Sequence, residues 1–182
     1  MSNTNNSFCV EKITKELAHI VRDENLFVDR IRKINDSSYE SEFIITGDHP
    51  YLYENSVISN HVSGTSFLDV TRQLCKAMSH IYYDVPINCR FVMQTTQMDF
   101  FGWTKCSIPI YILLDVAVQK RLLGGFMSPT FEVKLTYWQE GYELGIINVK
   151  FSAFSHDIEE KLMSRQYRRK PIEENIKIVP KN

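Results

Sequence analysis

The chain has 182 residues, of which 43% are hydrophobic and 24% are charged, and its formal net charge is -1. This length is enough for one domain with a hydrophobic core, and the near-neutral charge argues against a nucleic-acid-binding protein. The chain has no run of about 18 apolar residues, so no membrane span is predicted. The four cysteines are far apart and form no Cys-x-x-Cys motif, which favours free thiols in the cytoplasm over a zinc site or a disulfide framework.

The N-terminal third predicts a lead-in followed by a hairpin. Residues 1–8 are polar and predict a disordered lead-in, whereas residues 9–22 could form either a short helix or an extended segment. Apolar and charged residues then alternate over Phe27–Ile34 and Tyr39–Thr46. This period of two predicts two half-buried strands, and the sequence NDSS between them predicts a turn.

A loop over residues 48–64 precedes the most apolar helix of the chain, predicted from about Thr65 to Tyr83, with its end near Pro86. The second half is rich in β-branched and aromatic residues and predicts four long strands, with a tight turn at Glu140-Gly141. These strands are Cys89–Phe101, Ser107–Gln119, Thr130–Gln139 and Tyr142–Phe154.

The charged segment His156–Lys170 predicts a C-terminal helix, and residues 171–182 predict a flexible tail, so the predicted domain spans residues 9–170. One apolar helix and one antiparallel sheet define an α+β layer arrangement. The order of elements is what a hotdog fold requires, in which an antiparallel sheet wraps around a long central helix.

Asp69, Arg72 and Gln73 interrupt the apolar surface of the predicted helix. Their spacing of i, i+3 and i+4 predicts that they share one face. Asp69 suits a general base or an acceptor for a substrate hydroxyl, but it could also close a capping box with Ser66 or pair with Arg72. Arg72 suits an anion or a structural ion pair, and Gln73 suits either substrate binding or the fixing of nearby backbone.

Several segments resemble the A-factor biosynthesis hotdog family, the AfsA-like proteins. The matching segments are VDRIRKINDSSYESEFII, DHPY, NHVSGTSFLDVTRQ and DVPINCRFVM, and the resemblance covers roughly residues 26–165. The helix segment NHVSGTSFLDVTRQ is the most specific match, because it has an acidic residue shortly before Arg-Gln. The same segment is similar, more distantly, to acyl-carrier-protein dehydratases of the hotdog class, with Asp69 in the place of their acidic residue and Gln73 in the place of a Gln four positions further on.

The chain also departs from these patterns. Asp69 stands where the AfsA-like family usually has Glu, and Asp29 stands where it often has His. Asn55 is the nearest equivalent of the catalytic His in dehydratases of the polyketide type, and an amide cannot transfer a proton at neutral pH. Dehydration is therefore not expected. The chain has room for one hotdog repeat, whereas founding AfsA-like proteins carry two, so a homodimer is expected to complete the site.

The resemblance implies acyl transfer from a β-ketoacyl thioester, carried by a carrier protein or by CoA, onto dihydroxyacetone phosphate in γ-butyrolactone or butenolide biosynthesis. Asp69 and Arg72 are then the catalytic candidates. The substrate-binding candidates are Gln73, His61, Gly64, Asn55 and His49. No cofactor and no metal are implied. A thioesterase and a non-catalytic module that binds an acyl group or a carrier protein are the alternatives.

Other polar and aromatic residues allow plainer interpretations. His61 could touch a substrate or cap the helix, and His49 could shape the loop with Pro50. Lys76 and His80 continue the polar stripe of the helix and are interpreted as a solvent-facing or interface edge. The aromatic residues Phe100, Phe101 and Trp103 are assigned to core packing, with an acyl tunnel as the alternative.

Overall fold

The computed structural model describes residues 10–49, 61–123 and 126–167. The predicted lead-in over residues 1–8, the candidate Asn55 and the predicted tail over residues 171–182 lie outside these ranges. The strands are β1 (Val10–Lys12), β2 (Arg30–Lys33), β3 (Ser38–Phe43), β4 (Arg90–Phe100), β5 (Ile110–Leu123), β6 (Phe126–Gln139) and β7 (Tyr142–Phe154). The α-helices are α1 (Lys15–Ala18), α2 (Gly64–Tyr83) and α3 (His156–Tyr167).

All seven strands belong to one antiparallel sheet, in the order β1-β2-β3-β5-β6-β7-β4. The predicted hairpins and the four long strands are confirmed, but β1 is an addition to the prediction. The described part of segment 9–22 contains both an extended strand and a short helix, since β1 pairs with β2 and α1 follows. Strand β2 is shorter than predicted, because Phe27 lies outside the ladder and bonds to the central helix instead.

Helix α2 packs on the inner face of the sheet and contacts strands from both halves of it. The ring of Phe67 lies 5.7 Å from that of Phe43 on β3, 5.0 Å from that of Tyr137 on β6 and 5.3 Å from that of Phe100 on β4. One helix can touch strands so far apart in the sheet order only if the sheet curls around it. The predicted hotdog fold is therefore confirmed.

Local sequence explains where α2 begins and ends. Ser63 caps its N-terminus by accepting a hydrogen bond from the Ser66 N–H at 3.3 Å. At the other end Asp84 adopts the left-handed conformation, with φ of 54°, and Pro86 follows two residues later. The tight turn between β6 and β7 is also confirmed, since Glu140 and Gly141 both have positive φ, as a two-residue hairpin loop requires.

Strand β4 forms one end of the sheet, and most of its side chains are exposed. Its residues Met93, Met98 and Phe100 are between 38% and 44% exposed. Close contact with its neighbour β7 depends on Gly145, because a Cβ atom there would lie 2.5 Å from the carbonyl oxygen of Asp99. In the described ranges no helix is both long and apolar enough to cross a membrane.

Candidate functional site

Asp69 and Arg72 lie together on the outward side of α2. Arg72 Nη1 donates to Asp69 Oδ1 at 3.1 Å, and the side chains are 52% and 31% exposed, respectively. A carboxylate and a guanidinium held one turn apart can accept a proton and stabilise a negative charge on the same bound molecule. Both groups also remain accessible to such a molecule from solvent.

The structure excludes one of the structural interpretations of Asp69. A capping box with Ser66 requires the helix to begin immediately after Ser66. The helix begins at Gly64, however, and Ser63 is its N-cap residue. Asp69 lies in the second turn and cannot reach back to the helix start, whereas the ion pair with Arg72, the other structural interpretation, is present.

Gln73 faces away from this pair, although the spacing placed all three residues on one face. It is 2% exposed, its Oε1 accepts from the Phe27 N–H at 2.9 Å, and its Nε2 donates to the Asn25 carbonyl at 2.8 Å. One side chain thus satisfies two backbone groups of the segment before β2. This geometry matches the backbone-fixing interpretation, and Gln73 positions the N-terminal segment against α2.

His49 contacts the same segment. Its Nε2 lies 2.8 Å from the Glu24 carbonyl oxygen, so this nitrogen is the donor, and its ring lies 5.3 Å from that of Phe27. The structure therefore brings His49 and Gln73 to one short stretch of backbone, away from the Asp69–Arg72 pair. Pro50, with which His49 is predicted to shape the loop, lies outside the described residues.

His61 and Gly64 line a small cavity of about 150 Å³ at the N-terminal end of α2. The His61 ring lies 5.5 Å from that of Trp103, edge to face, and Trp103 is 84% exposed. Phe100 and Phe101 are also exposed, at 44% and 61%. The assignment of these three aromatic residues to the core is therefore wrong, because β4 and the segment after it lie at the open end of the sheet.

A second, larger cavity of about 500 Å³ lies between α2 and the start of β4, and it includes Arg72. Lys76 from α2, Arg90 from β4 and His19 from the end of α1 also line it. The interpretation of His80 as a solvent-facing residue is wrong, because it is only 9% exposed and its Nδ1 donates to the Val85 carbonyl at 2.6 Å. Lys76 follows Arg72 by four residues and so continues the same helical stripe, which means that the sequence contained a signal for it. His19 and Arg90 come from distant segments of the chain, and no local pattern in the sequence predicted them at this cavity.

The curled antiparallel sheet around one long helix, with a polar pair on that helix, defines a protein of the hotdog class. A model of the A-factor biosynthesis hotdog domain matches residues 1–155. The chain therefore belongs to the A-factor biosynthesis hotdog family, as its helix segment NHVSGTSFLDVTRQ indicated. A comparison with curated proteins finds no match.

Solved structures agree with this fold. A hot-dog-like protein from Thermanaerovibrio acidaminovorans has a TM-score of 0.53 and 11% identity, over 72% of this chain and 90% of that chain. A protein from Streptococcus mutans, solved bound to acetyl CoA, has a TM-score of 0.52 and 11% identity, over 75% of this chain and 95% of that chain. At these identities the likeness establishes the fold alone.

Proposed function

We propose that the protein is an acyltransferase that uses an acyl thioester on a carrier protein or CoA, with dihydroxyacetone phosphate as the acceptor, in the biosynthesis of γ-butyrolactone or butenolide signals. Membership of the A-factor biosynthesis hotdog family gives this proposal its reaction class. The observation that carries it is the Asp69–Arg72 pair, which is accessible on the outward side of the central helix. The similar Streptococcus mutans protein was solved with a thioester bound, which fits a thioester donor.

In the proposed reaction the Asp69 carboxylate accepts the proton of the acceptor hydroxyl. The hydroxyl oxygen then attacks the thioester carbonyl, and Arg72 stabilises the negative charge that develops on the carbonyl oxygen. Collapse of this intermediate breaks the C–S bond, and the departing thiolate takes up the proton from Asp69. The products are an ester of the acceptor and a free thiol, and Asp69 returns to its starting state.

We also propose that a homodimer forms the complete site, with the β4 edge as the contact. Among the described strands β4 has one neighbour, and its half-exposed residues Met93, Met98 and Phe100 extend the apolar inner face beyond α2. A strand edge of this kind is a template for pairing with a second chain. Such pairing would place a second α2 near the first and enclose the region beside Asp69 and Arg72.

Incubation with a β-ketoacyl thioester, with and without dihydroxyacetone phosphate, tests the activity when thiol release and ester product are followed by mass spectrometry. If the protein is the proposed transferase, thiol release requires the acceptor and is lost in the variants Asp69→Asn and Arg72→Ala. Asp36→Asn is the matched control, since Asp36 forms another ion pair of i, i+3 spacing with Lys33, at 3.0 Å. Release without the acceptor indicates a thioesterase, and binding without release indicates a non-catalytic module.

A further inference from the structure

The cavity between α2 and β4 is lined by two chemically different groups of side chains. The polar group is Arg72, Lys76, Arg90 and His19, which come from three separate elements. The apolar group is Leu68, Phe91, Met93, Val149 and Phe151, together with the buried Cys75. A cavity with both groups in its lining suits a molecule that has an anionic end and a short carbon body.

Lys76 differs from the two arginines in its surroundings. Arg72 has Asp69 as a partner at 3.1 Å, and Arg90 has Glu159 at 3.3 Å. Lys76 forms no ion pair with any residue in the described ranges, although it is partly buried. Burial and the neighbouring Arg72 lower the pKa of its ammonium group, against a smaller opposing effect of Asp69. A cation in this position is stabilised when an anion binds beside it.

Resting on the proposed function, we propose that this cavity binds the phosphate monoester of a substrate through Lys76 and Arg90, while Arg72 stays with Asp69 for the reaction. A phosphate monoester fits this pair of cations better than a carboxylate does, because it presents three oxygen atoms and carries a charge of about -1.5 to -2 at neutral pH. The planar guanidinium group of Arg90 can contact two of these oxygens, while the ammonium group of Lys76 acts as a point charge. The apolar side chains of the lining then contact the carbon part of the ligand.

Two phosphate monoesters could supply this group. One is the phosphate of a three-carbon acceptor, and the other is the 3′-phosphate of CoA as the thioester donor. Glycerol 3-phosphate represents the first and does not require turnover, whereas CoA and 3′-dephospho-CoA represent the second and differ by a single phosphate. Glycerol is the neutral reference.

Isothermal titration calorimetry of the full chain with these four probes tests the site. The wild-type protein is expected to bind at least one phosphate monoester more tightly than its reference compound. Lys76→Gln is expected to raise the Kd of that probe about ten- to a hundredfold, as loss of a hydrogen bond to a charged group predicts. Lys76→Arg keeps the charge and is expected to stay within a few-fold of wild type. Lys134→Gln is the matched control, since Lys134 is exposed on the outer face of β6.

A preference for glycerol 3-phosphate assigns the site to the acceptor, and a preference for CoA over 3′-dephospho-CoA assigns it to the donor. Absence of binding by both phosphate monoesters, or an equal Kd in wild type and Lys76→Gln, overturns the proposal even if the protein turns over a thioester. If a phosphate monoester binds in a Lys76-dependent manner but no thioester is turned over, the phosphate site is supported and the proposed acyltransferase activity is contradicted. The two proposals can thus fail separately.

Discussion

His19 Nε2 lies 3.0 Å from His80 Nε2, and this contact joins the end of α1 to the last turns of α2. The His80 Nδ1–H donates to the Val85 carbonyl, so in the neutral ring its Nε2 is the acceptor and His19 is the donor. Burial lowers the pKa of both imidazoles, and Lys76 lowers both further, with Arg90 as an additional cation near His19. The backbone contacts to Ile87 and Val85 oppose this shift in part.

Acid is therefore expected to destabilise the protein through this pair. Since both folded-state pKa values lie below the ordinary value of 6.5, the unfolded chain binds more protons as the pH falls, and the free energy of unfolding decreases below about pH 6.5. Urea unfolding at a series of pH values measures this slope. His19→Asn removes one titrating group while suiting the left-handed backbone at residue 19, where φ is 54°, and its slope should be shallower. An unchanged slope in His19→Asn would contradict this role of the pair.

Loss of the Gln73 amide is expected to destabilise the fold. Gln73→Ala leaves the Phe27 N–H and the Asn25 carbonyl without their partner, and the expected loss in unfolding free energy is about 1–3 kcal/mol. Gln97→Ala is the control, since Gln97 is exposed on β4 and bonds only locally, to Asp99. Chemical denaturation of both variants measures the difference, and equal stability would contradict the structural role given to Gln73.

The Asp69–Arg72 ion pair is expected to contribute little to stability. Because both side chains are substantially exposed, an i, i+3 pair of this kind contributes about 0.2–0.5 kcal/mol. Asp69→Asn should therefore unfold at nearly the wild-type urea concentration while it abolishes thiol release. A large fall in stability would instead assign the pair to the scaffold and weaken the proposed catalytic role.

A methyl group at Gly145 is expected to disturb the junction of β4 with β7. The added Cβ would lie 2.5 Å from the Asp99 carbonyl oxygen and 3.0 Å from a ring carbon of Phe100. Gly145→Ala should therefore cost about 1–3 kcal/mol, the range for overpacking. Gly47→Ala is the matched substitution, because a Cβ atom there meets nothing within 4 Å, and its unfolding midpoint should stay close to that of wild type.

A charge on the inner face of β4 is expected to prevent the proposed dimer. Met98 is 38% exposed, so Met98→Lys should fold, but its ammonium group would be buried in the contact between two copies. Sedimentation velocity should show a dimer for the wild type and a monomer for this variant. Met163→Lys on α3, where the methionine is 44% exposed, should remain dimeric. A monomeric wild type at micromolar concentration would remove the dimer proposal.

The sequence predicted the central helix to within one residue at its start and at its end. Its apolar residues, the Ser63-Gly64 start and Pro86 after its end are all local signals. Strand β1 was not predicted because three residues are too short to show an alternation. The long strands were found because β-branched and aromatic residues continue through them.

Sequence patterns predicted the part of the candidate site that lies on the central helix, but not the part that packing brings to it. Helical spacing identified Asp69 and Arg72 as neighbours, and the same helical stripe extends to Lys76. The partners of Gln73 could not be predicted, because Phe27 lies 46 residues away along the chain. His19 and Arg90 reach the cavity only through the packing of α1 and β4 against α2, which no local pattern encodes.

The order of the sheet also has a consequence for how the chain is made. Strand β4 emerges from the ribosome directly after α2, yet its neighbour in the described sheet is β7, with Arg90 opposite Phe154 and Phe100 opposite Gly145. Closing so long a loop is slow, because its entropy is lost before the strand pairing compensates for it. Until Phe154 has been synthesised, β4 has no strand to pair with, and both of its edges are open to other chains. A nascent chain that stalls before β7 is therefore expected to aggregate through the same strand that a finished chain is proposed to use for its dimer.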